Sequence, residues 1–187
     1  MPGTHDVVLL REVIAELRGA TPAARTTIPV FDKLADDRIA TRDWQVFTGR
    51  PAAILLEGWC IGARVADVAA FAGPPNDLER TEDPDNVWRG WSLGALARDY
   101  EDLWGMLDLL VSIEVPDLAT VIDSRLAQEE RLAAQSTRPP MDRAAVTRFV
   151  QHYERYTRAM WAAMPERADM LYRRTRGFGF TLAKELA

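Results

Sequence analysis

Ile54-Leu55-Leu56-Glu57-Gly58-Trp59-Cys60-Ile61-Gly62-Ala63-Arg64 (ILLEGWCIGAR) is the stretch on which the fold turns. The apolar run Ala52 to Leu56 reads as a short strand. It ends in one carboxylate, Glu57, and Gly58 then lets the backbone turn away sharply. Such a strand places its acid at the C-terminal edge of a sheet, where open α/β sheets bind ligands. In phosphoryl-transfer enzymes an acid at that edge holds Mg²⁺ or its water shell, which makes Glu57 the candidate catalytic and metal-holding residue. A strand that simply ends in a solvated Glu accounts for the pattern equally well.

On either side lie two runs of the same kind, Thr26 to Phe31 (TTIPVF) and Leu109 to Val115 (LLVSIEV). Each is short, largely apolar and separated from the next by helix or loop. That is the pattern of a parallel sheet covered on both faces. A helix is expected from Thr4, as N-cap, to Arg18, with Val7, Leu10, Val13, Ile14 and Leu17 at helical spacing. Gly58 to Asp85 reads as loop with short helical pieces. Helices are expected at Val87–Leu107, Leu118–Gln135 and Asp142–Met164. The last carries Val146, Phe149, Val150, Tyr153, Tyr156, Met160 and Trp161 on one face, a stripe that belongs to a core. The chain reads as one α/β domain over residues 1–187, with a helix-rich C-terminal part.

Three further segments could carry chemistry. After the first strand, Asp32, Lys33, Asp36, Asp37 and Arg38 form a mixed-charge loop suited to an anionic substrate and its hydroxyl. Pro2 to Asp6 (PGTHD) enters a helix start, where backbone N–H groups can hold an anion and His5 can donate or relay a proton. On Ser124 to Leu132, Arg125, Gln128 and Glu129 share one helix face. A polar loop, an exposed histidine and an ordinary helix face explain the same residues without chemistry. His152, near Arg155 and Arg158, reads as structural.

Composition bounds the rest. The 187 residues are 48% hydrophobic and 27% charged, with a net charge of −5, which does not suggest wholesale nucleic-acid binding. The charge is uneven: Arg138 to Arg176 holds nine Arg, no Lys and four acids, a net +5 against −10 elsewhere. A solvated helix surface is the plainer reading of that stretch. One cysteine, Cys60, permits no intrachain disulfide and fits a reducing cytoplasm. No membrane span is expected, and the first residues do not read as a secretory signal. There is no G-x-S-x-G, HExxH or CxxC spacing.

Taken in order, PGTHDVVLL, IPVFDKLADDR, ILLEGWCIGAR, P-N-x-L-E at Pro75 to Glu79, Trp88-Arg89, R-x-x-Q-E at Arg125 to Glu129 and FVQHYERYTR at Phe149 to Arg158 resemble the D-glycerate 3-kinase group. That group is related to uridine kinase, phosphoribulokinase and pantothenate kinase. The resemblance implies a P-loop three-layer fold and transfer of the γ-phosphoryl of ATP, with Mg²⁺, to a hydroxyl of a small molecule such as a hydroxy acid. It implies Glu57 as the Walker B-type acid, Asp32 and its loop with His5 and Asp6 facing the acceptor, and Arg125 as a lid arginine near the phosphates. Lys33, Arg38 and Arg64 are the nearest candidates for the acceptor carboxylate. A related kinase with a nucleoside acceptor, or a non-catalytic binding protein, are the alternatives.

The chain departs from the family in one large respect. No G-x-x-x-x-G-K-[ST] occurs, and the only lysines are Lys33 and Lys184. On the resemblance, the parallel sheet therefore lacks its first strands, which would lie beside the Ile54–Glu57 strand. An open edge there exposes apolar surface and unpaired ladder groups. The chain alone is accordingly expected to fold poorly or to self-associate.

Overall fold

The computed structural model describes residues 1–32, 35–134 and 139–185. The chain divides into two compact units, Thr4–Trp59 and a larger one formed by Met1–Gly3 with Cys60–Ala187.

The smaller unit opens with α1 (Val7–Gly19), whose N-cap is Asp6 rather than Thr4. The Asp6 carboxylate accepts the Leu9 N–H at 3.1 Å, taking up a donor that the first turn leaves free. Val7, Ile14 and Leu17 form its buried stripe. The expected strand Thr26–Phe31 is cut in two. Pro29 has no N–H for a ladder, so the chain forms β1 (Arg25–Ile28) and then β2 (Phe31–Asp32). β2 pairs antiparallel with β3 (Asp37–Arg38), and β1 pairs antiparallel with β4 (Gln45–Thr48). The sequence reading contained neither partner.

The expected strand Ala52–Leu56 is not a strand. Residues 51–58 have no regular structure, and Leu55 is 92% exposed. An apolar run becomes a strand only when a neighbour completes its ladder, and none of the described residues does so here.

The larger unit is mostly helical: α2 (Val65–Ala69), α3 (Asp77–Glu82), α4 (Val87–Ala95), a π-helical turn (Leu96–Tyr100) and α5 (Glu101–Trp104). β5 (Val111–Glu114) follows, then α6 (Leu118–Ala133), α7 (Arg143–Gln151) and α8 (Glu154–Arg167). The single helix expected over Asp142–Met164 breaks at His152-Tyr153. Its apolar stripe is core as expected, with Val146, Val150 and Tyr156 buried. β6 (Met170–Arg174) and β7 (Phe180–Lys184) close the unit. β5 and β6 are parallel, but β6 and β7 are antiparallel. The sheets are thus small and mixed, not one parallel sheet covered on both faces. Val111, Ile113, Phe180 and Leu182 remain exposed.

Residues 1–3 are built into this helical unit. The Gly3 N–H donates to the Tyr100 hydroxyl at 2.9 Å, and Ser92 Oγ donates to the Pro2 carbonyl at 3.2 Å. The Ser92 hydroxyl has one proton and gives it to Pro2, so the Tyr156 hydroxyl, 2.8 Å away, donates to Ser92. Gly3 has φ +98°, and an added Cβ would lie 2.4 Å from the Trp91 ring, so only glycine fits.

Cys60 is buried, and burial pushes its thiol up to about 11. The thiolate is the reactive form. The native chain is therefore expected to leave an aromatic disulfide reagent unreacted at about pH 8. In concentrated guanidinium chloride one thiol per chain should titrate at once. Rapid reaction of the native chain would show that Cys60 is not held in this packing.

Candidate functional site

Six of the proposed site residues belong to the smaller unit: His5, Asp6, Asp32, Lys33, Arg38 and Glu57. Lys33 lies outside the described residues. The short β2–β3 hairpin sets Asp32 opposite Asp37 and Phe31 opposite Arg38. Asp36 takes the turn at φ +54°, a conformation that Asp tolerates better than most residues. The Asp32 carboxylate accepts the Ala35 N–H at 3.3 Å. Arg38 Nη1 donates to Asp6 at 3.0 Å, which ties the hairpin to the start of α1. One oxygen of Asp6 caps the helix while the other holds Arg38. Both partners are about half exposed, and an exposed ion pair of this kind is weak and exchangeable. An incoming anion can compete with Asp6 for Arg38. His5 is exposed, as is Glu57, which lies in the irregular segment after Leu56.

Arg64 and Arg125 belong to the larger unit. Arg64 is exposed at the N-cap of α2. Arg125 is committed to its own neighbourhood. It donates to Gln128 at 2.8 Å and to Glu129, and its guanidinium lies 4.8 Å from the centre of the Phe149 ring.

No group of three or more His, Cys, Asp or Glu among the described residues could hold a metal ion. Glu57 by itself suits a Mg²⁺ that arrives on substrate phosphates and keeps most of its waters, not a free ion.

The strongest electrostatic cluster is one to which sequence reasoning gave no role. Glu79, on α3, is fully buried. Its carboxylate accepts from Arg155 Nη2 at 2.7 Å and from Arg155 Nε at 3.1 and 3.2 Å, and Arg89 lies 3.6 Å away. Arg155 also donates to the Phe71 and Gly73 carbonyls. Arg89 is held by Asp83 at 2.8 Å. Asn76 caps α3 through the Glu79 N–H and donates to Glu154, which in turn takes Arg158. Three acids face three arginines, so the cluster is neutral and its donors are in use. It pins α3, α4 and α8 together. Around it is a cavity of about 350 Å³ lined by Phe71, Trp88, His152 and Tyr156 as well as by Glu79, Arg89 and Arg155. The sequence marked only the start of α3: N-D-L-E at Asn76–Glu79 has capping-box spacing, which does not distinguish a buried Glu from an exposed one.

Burial alone would raise the Asp83 carboxyl. Hydrogen bonds from the Arg89 side chain and from the N–H groups of Arg89, Val87 and Trp88 outweigh it and hold the group below the usual Asp value. Its contribution to stability is therefore complete above the ordinary Asp pKa and is lost as the pH falls through the lower folded-state value. Asp83→Asn is expected to flatten the acid limb of stability against pH, read as urea midpoints between about pH 3 and pH 6. An unchanged acid limb would rule out this linkage.

The arginine-rich stretch is also explained. Arg143 pairs with Asp123, Arg148 with Glu82, Arg155 with Glu79, Arg158 with Glu154, Arg167 with Asp67, Arg173 with Glu114 and Arg176 with Asp117. Arg174 donates to Ser124 and stacks 4.0 Å over Phe178. These arginines mostly tie one element to another, and Arg138 lies outside the described residues.

A scan against descriptions of known protein families finds no match. Among curated proteins, an uncharacterized kinase of Schizosaccharomyces pombe, mug58, is 26% identical over 160 residues, covering 82% of this chain and 55% of that protein. The chloroplastic D-glycerate 3-kinase of Arabidopsis thaliana is 26% identical over 176 residues, 89% of this chain and 36% of that protein. The chain thus spans about half or less of the length of these curated relatives. Among solved structures, D-glycerate 3-kinase from Cryptococcus neoformans var. grubii superposes with a TM-score of 0.65 at 22% identity, over 97% of this chain and 68% of that one. The YGR205w protein superposes with a TM-score of 0.64 at 20% identity, over 97% and 65%. Those two matches establish a shared mixed α/β fold. At family level the chain resembles D-glycerate 3-kinase and related kinases.

Proposed function

We propose that this chain belongs to an ATP-dependent kinase of the D-glycerate 3-kinase type, which moves the γ-phosphoryl of ATP to a hydroxyl of a small hydroxy acid. The observation that carries this is the 26% identity to a D-glycerate 3-kinase over 89% of the chain. Glu57 would hold the Mg²⁺ that accompanies the nucleotide, through its water shell. Asp32 faces the acceptor and positions its hydroxyl. Arg38, whose pair with Asp6 is half exposed and exchangeable, takes the acceptor carboxylate, and Lys33, Arg64 and His5 are the other candidates for that role. Arg125 serves the phosphates as a lid residue. ATP supplies the transferred group when bound. The 187 residues hold no G-x-x-x-x-G-K-[ST] to cradle its phosphates, so no step is assigned to this chain at the β- and γ-phosphates.

A second reading is a protein that binds a small anion or a partner without catalysis, and the half-exposed, exchangeable pair of Arg38 with Asp6 is the observation that favours it. One experiment separates the two. The chain is incubated with Mg²⁺-ATP and D-glycerate, and phosphoglycerate is quantified, with glycerol and a nucleoside as alternative acceptors. Phosphoglycerate above the level of a Glu57→Ala control supports the kinase. Calorimetric binding of D-glycerate without turnover supports the binding protein. Neither turnover nor binding overturns both.

A further inference from the structure

We propose that the cavity beside Glu79 is a binding site for a small, neutral, planar molecule that carries an amide, or a ring carbonyl next to an N–H. The cavity of about 350 Å³ lies wholly within the larger unit, and none of the candidate kinase residues lines it. Its size is that of a small-molecule pocket, and so is its make-up of aromatic and apolar walls with a few polar groups. Phe71, Trp88 and Leu93 supply the apolar walls. Trp88 is only partly buried, and its neighbour His152 is tilted and 6.3 Å away, which leaves ring surface for a flat guest.

The polar groups set the chemistry. Arg89 donates through Nε and Nη2 to the side chain and carbonyl of Asp83. Its Nη1 meets Glu79 at 3.6 Å, an ion pair too long for a hydrogen bond, so that nitrogen can still donate to a guest's oxygen. His152 Nδ1 lies 2.9 Å from the Arg148 carbonyl, which can only accept. Nδ1 therefore carries the proton, and Nε2 of the neutral ring is an acceptor. A donor and an acceptor in one cavity suit a guest with a carbonyl oxygen and an N–H side by side. Charge argues against an anionic guest. The acids and arginines of the cluster already cancel, and a carboxylate on Nη1 would come close to the Glu79 carboxylate. A hydrocarbon guest would leave Nη1 unmet.

The test titrates the full 187-residue chain with benzamide, benzoate and toluene, three probes of similar shape. Binding is followed by NMR at the Trp88 indole N–H, with Trp88→Phe to assign the signal. Benzamide is expected to bind with a Kd on the order of 1 mM, the reach of a ligand of about nine non-hydrogen atoms. Benzoate and toluene should bind at least about tenfold more weakly. Leu93→Trp fills the cavity and should abolish benzamide binding. His152→Phe keeps a ring but removes the acceptor, and should weaken binding about fivefold. Circular dichroism checks that both variants are folded. Benzoate or toluene binding as tightly as benzamide, a shift that does not saturate, or benzamide binding indifferent to Leu93→Trp overturns the proposal. The ligand series needs only the parent chain, so it decides the matter even where a variant fails to fold. None of these readouts depends on phosphoryl transfer.

Discussion

Glu79→Ala is expected to cost about 3 to 5 kcal/mol of folding stability, the usual cost of removing one partner from a buried charge pair. Glu79 is fully buried and answers two guanidinium groups, those of Arg155 and Arg89. Its removal leaves Arg155 facing the Phe71 and Gly73 carbonyls but no carboxylate of its own. In a protein of this size that loss lowers the melting midpoint by roughly 10 °C. Glu79→Gln keeps a hydrogen-bond acceptor without the charge and should fall between. The control is Glu82→Ala. Glu82 also pairs with an arginine, Arg148, but both side chains are exposed, so its melting curve should nearly overlay that of the parent. Equal midpoints for Glu79→Ala and the parent would show that the cluster does not hold the helical unit together.

The contrast between those two glutamates also shows what the sequence could and could not say. Both lie on α3, and both look like ordinary helix acids. Glu79 is covered in the fold by partners from other elements, Arg155 on α8 and Arg89 on α4, so local spacing is silent about its burial. Helices were legible because their period and caps are local: α6 was expected at Leu118 and starts there, capped by Asp117. The break between α7 and α8 was not, since no Pro or Gly marks His152-Tyr153. Strands fared worse for a physical reason. TTIPVF and LLVSIEV found ladders, but Ala52–Leu56, the most apolar run, found none. The second strands of the hairpins, Gln45–Thr48 and Phe180–Lys184, were missed because their apolar residues stay half in water. Of the candidate site, Asp6 was expected to face the acceptor just inside a helix capped by Thr4; it is itself the cap of α1 and also holds Arg38.

Glu57→Gln is expected to lower the rate of phosphoryl transfer by about 100- to 1000-fold, the loss typical when one charge-stabilising contact is removed. The prediction rests on the kinase reading, and its pattern matters more than its size. Glu57 is exposed in an irregular segment, so the substitution should leave the melting midpoint unchanged. It would touch the metal and not the acceptor, so KM for D-glycerate should hold while kcat falls. Arg38→Ala should do the reverse. Its partner Asp6 is half exposed and keeps its capping bond to Leu9, so the fold tolerates the change, while a carboxylate acceptor loses its cation and KM rises at little cost in kcat. Higher Mg²⁺ should partly restore Glu57→Gln and do nothing for Arg38→Ala. If both variants changed KM and kcat alike, or if Glu57→Gln were fully active, Glu57 would be a solvated acid of the irregular segment after Leu56 and nothing more.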